Sequence, residues 1–174
     1  MPEQESAYKK LIHAYNTMLE RVKVALEQAG VDAGPTVKKA IDNAEEKASE
    51  LDELSREEAS KIARYLQRDI HDAAEYLANE GAELAAWAHF DLEQVESRIL
   101  DTFLSVADRT TLELKALNHE GERLLEWHTG EITSIGTLVC ASCGKTLHFH
   151  ETGHIPPCPK CAGTTFLRDA GEED

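Results

Sequence analysis

Tyr8, Leu11, Tyr15, Met18, Val22, Ala25 and Ala29 recur at spacings of three and four in strict alternation. This heptad stripe predicts a helix with one face packed against another helix. Gly30 and the Gly34-Pro35 pair end it, with a turn between. A second helical run sets Val37, Ala40 or Ile41, Ala44, Ala48 and Leu51 on one side, with Asp42, Glu45, Glu46 and Lys47 mostly on the other. Ser55-Arg56-Glu57-Glu58 is a capping box that opens a third run through Ile62, Leu66, Ile70, Ala73 and Leu77. The pattern resumes after Gly81 with Leu84, Ala88, Leu92, Val95, Ile99, Phe103 and Val106, and fades near Leu117. Uninterrupted, about 60 residues at about 1.5 Å each make a rod on the order of 90 Å. Gly81 is either a kink in that rod or a break into two helices. Stripes of this length with charges between them predict an antiparallel helical hairpin or a coiled coil, and they also allow a homodimer.

Near Asn118-His119-Glu120-Gly121 the pattern changes, and Gly121 is placed to stop a helix. LLEWHTGEITSIGTLVC follows, with Thr129-Gly130 and Gly136 punctuating short β-branched runs, so turns and strand are expected. Trp127 is a packing residue expected to seat the C-terminal module against the helices. Three segments then look like short strands: Gly136–Val139, Thr146–His150 and Thr164–Leu167. Leu138, Leu147, Phe149 and Phe166 are the candidate core of that module.

All four cysteines of the chain fall within CASCGKTLHFHETGHIPPCPKC. Cys140 and Cys143 form one Cys-x-x-Cys pair, Cys158 and Cys161 a second, with 14 residues between the pairs. Paired knuckles of this kind signal zinc, although the gap is just under the usual range. A Cys-x-x-Cys turn doubles the chain back, so both sulfurs face one ion. Gly144 supplies the positive φ that such a knuckle commonly needs, Ala162-Gly163 plays a similar part after Cys161, and Pro157 and Pro159 stiffen the second turn. Four thiolates complete a tetrahedral Zn2+, which marks a structural ion; catalytic zinc keeps one position open. Four-thiolate sites also accept iron, but the short gap and the few aromatics beside it favour zinc. A thioredoxin-type redox pair needs a βαβ unit that the pattern lacks. A ribbon of about 35 residues buries too little surface to fold alone, so the metal supplies the missing stability.

These readings define a mainly α chain with a small β module. An acidic, coiled-coil-like helical region spans residues 1–120 and a connector 121–136. A C-terminal three-stranded zinc ribbon spans 137–170 and an acidic tail 171–174. His128 is left out of the metal site. His148 and His150 share a strand face and His154 lies on the next turn, the expected place being a solvent-facing edge and a polar loop; a second metal site or a pH-sensitive surface is the sharper alternative.

Charge narrows the partner. The net charge is -15, and residues 1–136 carry 28 acidic against 15 basic side chains. Such a surface repels a phosphate backbone and attracts a basic protein surface. Within residues 137–168 only Lys145, Lys160 and Arg168 stand against Glu151, and four thiolates with one zinc cancel that excess. These three cations are the contacts a nucleic-acid reading requires. No apolar run is long enough to cross a membrane, and the N-terminus lacks a signal-peptide pattern, so the expected compartment is the cytoplasm, where clustered cysteines bind metal more often than they pair. The chain carries no Gly-rich phosphate loop, nucleophile elbow or His-Glu-x-x-His pair.

From LNHEGERLLEWHTGEITSIG onward the chain resembles the YbeL-like zinc-ribbon proteins of bacteria. The shared elements are a Trp-His-x-Gly-Glu lead-in, Gly-x-Leu-Val-Cys, a Cys-x-x-Cys pair, Pro-Cys-Pro-Lys-Cys and a closing aromatic. The upstream Leu-Ser-Arg-Glu-Glu and Gln-Arg-Asp-Ile segments resemble that family's helical part. The resemblance implies a helical region plus zinc ribbon in the bacterial cytoplasm, with Cys140, Cys143, Cys158 and Cys161 as the metal ligands, and implies no activity. The combined expectation is a non-enzymatic zinc-binding protein that acts as a protein-interaction or regulatory module. Its alternative is a factor that binds nucleic acid or the transcription or translation machinery, such as RNA polymerase or the ribosome, with Asp32 as an acidic tip.

Overall fold

The computed structural model of the chain describes residues 2–33, 36–80, 87–88, 92–117 and 126–168. Gly34-Pro35, Gly81, Leu84, Gly121, the 171–174 tail and the side chains of Ala29 and Asp32 lie outside what is described. Among the described residues, four α-helices precede six short strands. The helices are α1 (Pro2–Ala33), α2 (Val37–Glu50), α3 (Arg56–Glu80) and α4 (Ser97–Leu117). α1 runs through Gly30, the expected stop, because one glycine weakens a helix by about 1 kcal/mol without ending it.

The third stripe is broken, not continuous. α3 ends at Glu80, a 3-10 turn covers Leu92–Gln94, and α4 packs back on α3. α1 packs on α2, α3 and α4. Each helix therefore meets several neighbours around one core, and the buried face is wider than a two-helix seam. In α1, Leu19 and Leu26 are buried beside the stripe residues Tyr15, Met18 and Val22. α2 buries Val37, Ala40, Ile41, Ala44 and Ala48, while Leu51 caps the helix and is exposed. Its alanines let neighbouring backbones approach closely. The Thr36 hydroxyl accepts from the Lys39 amide at 3.1 Å, and the Glu113 carboxylate of α4 accepts from the Val37 amide at 2.9 Å. At the head of α3 the Ser55 hydroxyl accepts from the Glu58 amide at 3.1 Å, as the capping box requires. The Glu58 carboxylate also pairs with Lys10 of α1 at 3.1 Å.

The C-terminal module contains β1 (Trp127–His128), β2 (Ile132–Thr133), β3 (Gly136–Cys140), β4 (Thr146–Phe149), β5 (Gly153–His154) and β6 (Thr165–Arg168). The three expected strands are present as β3, β4 and β6. The sheet has four strands, in the order β1-β6-β3-β4, because Trp127 and His128 pair with Phe166 and Thr165. β2 and β5 form a separate two-stranded ribbon. The module's core is Trp127, Leu138, Ile155 and Phe166 with Cys140 and Cys158, and Leu147 and Phe149 pack against it. Ile132 and Ile135 belong instead to the helical core, so the segment between β1 and β3 stitches the two parts together.

Candidate metal centre

The two knuckles have the same backbone. The Cys140 amide donates to the Lys145 carbonyl at 2.8 Å, and the Gly144 amide donates back to the Cys140 carbonyl at 2.9 Å. In the second knuckle Cys158 bonds to Gly163 at 2.9 Å, and Ala162 bonds to Cys158 at 2.8 Å. Both turns need one left-handed residue at the same place. Gly144 takes φ +77° and Ala162 takes φ +60°. The second knuckle thus carries its left-handed turn on an alanine, and Gly163 has another task. A Cβ there would lie 3.2 Å from both the Cys140 and Cys161 sulfurs and 3.3 Å from the Ser142 hydroxyl. Its bare backbone lets the sulfurs close in, and its amide donates to Cys161 Sγ at 3.4 Å.

The four sulfurs lie within 4.8 Å of one another. Cys140 Sγ is 3.6 Å from Cys161 Sγ, and Cys143 Sγ is 3.6 Å from Cys158 Sγ. A tetrahedron with Zn–S bonds of about 2.3 Å has edges of about 3.8 Å, so the cage fits one such ion. These separations are far beyond a disulfide bond of about 2.05 Å, and all four thiols are free. Cys140 and Cys158 are buried, Cys143 is half-buried and Cys161 is exposed. Desolvation pushes the Cys140 thiol up, but the amides of Cys143 and Ser142 and the thiols of Cys161 and Cys143 outweigh it and draw it down to about 6. Cys158 is drawn down in the same way, against desolvation, by the amides of Cys161 and Lys160. At Cys161 the Gly163 amide favours the thiolate, yet the neighbouring Cys143 and Cys140 sulfurs prevail and push it up to about 12. Four thiols this close do not ionise together unaided. A dication supplies the charge that lets them, which is the chemistry of a four-sulfur metal site.

Among the described residues, these cysteines are the one group of three or more side chains placed to hold a metal. The histidines go elsewhere. His148 Nδ1 lies 2.9 Å from the Thr137 hydroxyl, which donates to the Ala88 carbonyl at 2.7 Å. The Thr137 proton is committed to Ala88, so His148 Nδ1 carries the proton of their shared bond. His154 stacks on Tyr8 of α1, ring centroids 4.1 Å apart. His128 faces Glu126 at 3.5 Å on β1. Lys145 and Lys160 are exposed, as a contact surface requires. Arg168 is not: its side chain is 4% exposed, with Nε 3.0 Å from Asp72 Oδ2. The third cation of the nucleic-acid reading is therefore spent inside the fold, because the end of β6 points at α3 and not at solvent.

The junction of ribbon and helices is the part that sequence reasoning missed. Asp69 of α3 is wholly buried and receives Tyr15 Oη at 2.7 Å, Trp127 Nε1 at 2.9 Å, the Ser134 amide at 3.0 Å and Arg68 Nε at 3.0 Å. One helical turn on, Asp72 receives Trp87 Nε1 at 3.0 Å and pairs with Arg168. The Arg168 guanidinium lies 4.7 Å from each of the Trp87 and Trp127 rings. Arg68 lies 4.9 Å from the Trp127 ring and bonds to the Glu131 carboxylate and the Ile132 carbonyl. Gly136 makes room: a Cβ there would meet Arg168 Nη1 at 2.2 Å. Trp127 does seat the module on the helices, as expected. The only signal for Arg68 and Asp69 was that Gln-Arg-Asp-Ile resembles a family segment.

Fold and site together define a four-cysteine zinc-ribbon protein in which the ribbon is docked on a helical bundle. The zinc-ribbon-containing domain family matches residues 24–170, and the chain belongs to that family. It is similar to uncharacterized protein YbeL of Escherichia coli K12, with 28% identity over 140 residues, covering 74% of this chain and 79% of the relative. The YbeL proteins of the O6:H1 and O157:H7 strains match to the same extent. No solved structure matches the chain.

Proposed function

We propose that this protein is a non-enzymatic, cytoplasmic zinc-binding adaptor that holds one structural Zn2+ on Cys140, Cys143, Cys158 and Cys161 and offers its acidic helices to a basic protein partner. The observation that carries the reading is the closed set of four sulfurs, each within 4.8 Å of the others. Four protein ligands leave no position for a substrate or an activated water, so the ion serves folding and docking. The helices supply the recognition surface. An open cleft of about 690 Å³ between α2 and the start of α3 is lined by Asp42, Glu45, Glu46, Glu50 and Asp52 against the single cation Arg56. A lysine- or arginine-rich protein face complements it, and association would be fast and salt-sensitive. RNA polymerase and the ribosome are candidate partners within this reading, as is a second copy of the chain through the helices. No described helix is long and apolar enough to cross a membrane. The nucleic-acid alternative loses support with the burial of Arg168.

The test is metal analysis followed by crosslinking. The expected result is one zinc per chain, a four-sulfur charge-transfer spectrum in the cobalt-substituted protein, and a stoichiometric basic partner captured from the native cell. A cobalt spectrum with an oxygen or nitrogen ligand would overturn the closed site. Absence of both a partner and self-association would overturn the adaptor role.

A further inference from the structure

The ribbon meets the helices through charged groups buried on both sides. β3 carries Cys140 at one end and Gly136, against Arg168, at the other. β6 begins just after the second knuckle and ends at Arg168. These two strands are paired, with Cys140 opposite Phe166 and Leu138 opposite Arg168. The strands that close the metal cage thus also aim the arginine. At its far end that arginine meets Asp72 and Asp69, which sit at 6% and 0% exposure within α3. Two carboxylates in such a place depend on their partners, because removing one partner leaves a buried charge uncompensated. Arg68 belongs to α3 itself and stays with it. Trp127 and Arg168 arrive with the ribbon, while the Ser134 amide and Glu131 sit on the segment that stitches the ribbon to the helical core.

We propose that the junction is a metal-gated latch: occupancy of the four thiols holds Arg168 and Trp127 on the Asp69–Asp72 pair of α3, and loss of the metal releases them. The inference rests on the metal site and not on the partner, so its failure leaves the adaptor reading standing, and the reverse also holds. Metal loading then changes the surface of the helices as well as the ribbon's own fold. By linkage the effect is reciprocal, so the docked helices strengthen metal binding by the same factor that the metal strengthens docking.

Both tryptophans of the chain flank Arg168, so their fluorescence reports on the latch. The experiment uses the full chain, loaded with zinc and then stripped by a chelator. Expected on stripping are a red shift of tryptophan emission and faster amide exchange over residues 66–74 and 131–135, while α2 keeps its protection. In the zinc-loaded Arg168→Met variant the same peptides exchange faster, and zinc affinity, measured by chelator competition, falls about tenfold. Should that variant fail to fold, Asp72→Asn repeats the test, since it keeps an acceptor for Trp87 and removes the charge facing Arg168. Unchanged zinc affinity in the variant that folds would overturn the latch. So would loss of protection spreading equally to α2 on stripping, or unaltered exchange over 66–74.

Discussion

Gly144 and Gly163 follow the first and second knuckle, yet they are glycines for different reasons. At Gly144, with φ +77°, a Cβ would touch nothing within 4 Å, so only the backbone objects to a side chain. Gly144→Ala is expected to cost about 1 kcal/mol in chemical denaturation and to leave zinc affinity near its starting value. Gly163→Ala places a methyl 3.2 Å from two of the sulfurs, and zinc affinity is expected to fall by about 10- to 100-fold in chelator competition. Equal effects on affinity would refute the distinction. Sequence reading assigned the two glycines similar roles, because a motif shows the presence of a glycine and not which of its properties the fold uses. Tyr15 gives a pH prediction at the same scale. Burial, and next the Asp69 carboxylate, raise its phenol well above the ordinary tyrosine range near 10. Between that ordinary value and its own raised one, the unfolded chain loses a proton that the folded chain keeps. Stability from this group is therefore full below about pH 10 and declines as pH rises further. Alkaline titration followed by tyrosinate absorbance should show one tyrosine that ionises only as the helical signal is lost.

At the scale of elements, α2 is held at its head by two side chains from different places. Thr36 caps locally, and Glu113 reaches across from α4 to the Val37 amide. Thr36→Ala is expected to cost about 1 kcal/mol in urea denaturation. A cost near zero would mean that Glu113 covers the helix end alone. The helical stripes were legible because amphipathic periodicity is a local property, as is the Ser55 cap of α3. The break between α3 and α4 was not legible. A stripe records which face of a helix is buried, and two helices folded on each other bury faces as readily as one long helix buried by a partner. β1 was hidden for a related reason. Trp127-His128 is too short to carry an alternation, and it becomes a strand only because β6 offers it an edge.

The whole molecule depends on a buried polar centre between ribbon and helices. Asp69→Ala would strand the donors of Tyr15, Trp127 and Ser134 and remove the counter-charge of Arg68, at an expected cost of about 3–5 kcal/mol by urea denaturation. A loss under 1 kcal/mol would show that water or a neighbouring carboxylate replaces it. Chelation of the metal should abolish the ribbon's near-ultraviolet signal and leave most of the far-ultraviolet helical signal, since the helical core of Tyr15, Met18, Ile62, Leu66 and Phe103 is its own cluster. Joint loss of both signals would mean that the bundle has no independent stability.

The sequence by itself determined the two cysteine pairs, the amphipathic helical stripes and the order of helices and ribbon. Each of these is written in short-range spacing: two residues between cysteines, three or four between buried apolar positions. Only the tertiary structure decided that Arg168 is an internal ion-pair residue and not a surface cation, that Asp69 and Asp72 are buried, and that the helices form a bundle. A charged side chain looks the same in sequence whether water or a distant partner solvates it. Its burial is affordable only where partners from α1, α3, β1 and β6 converge, and that convergence exists in space alone.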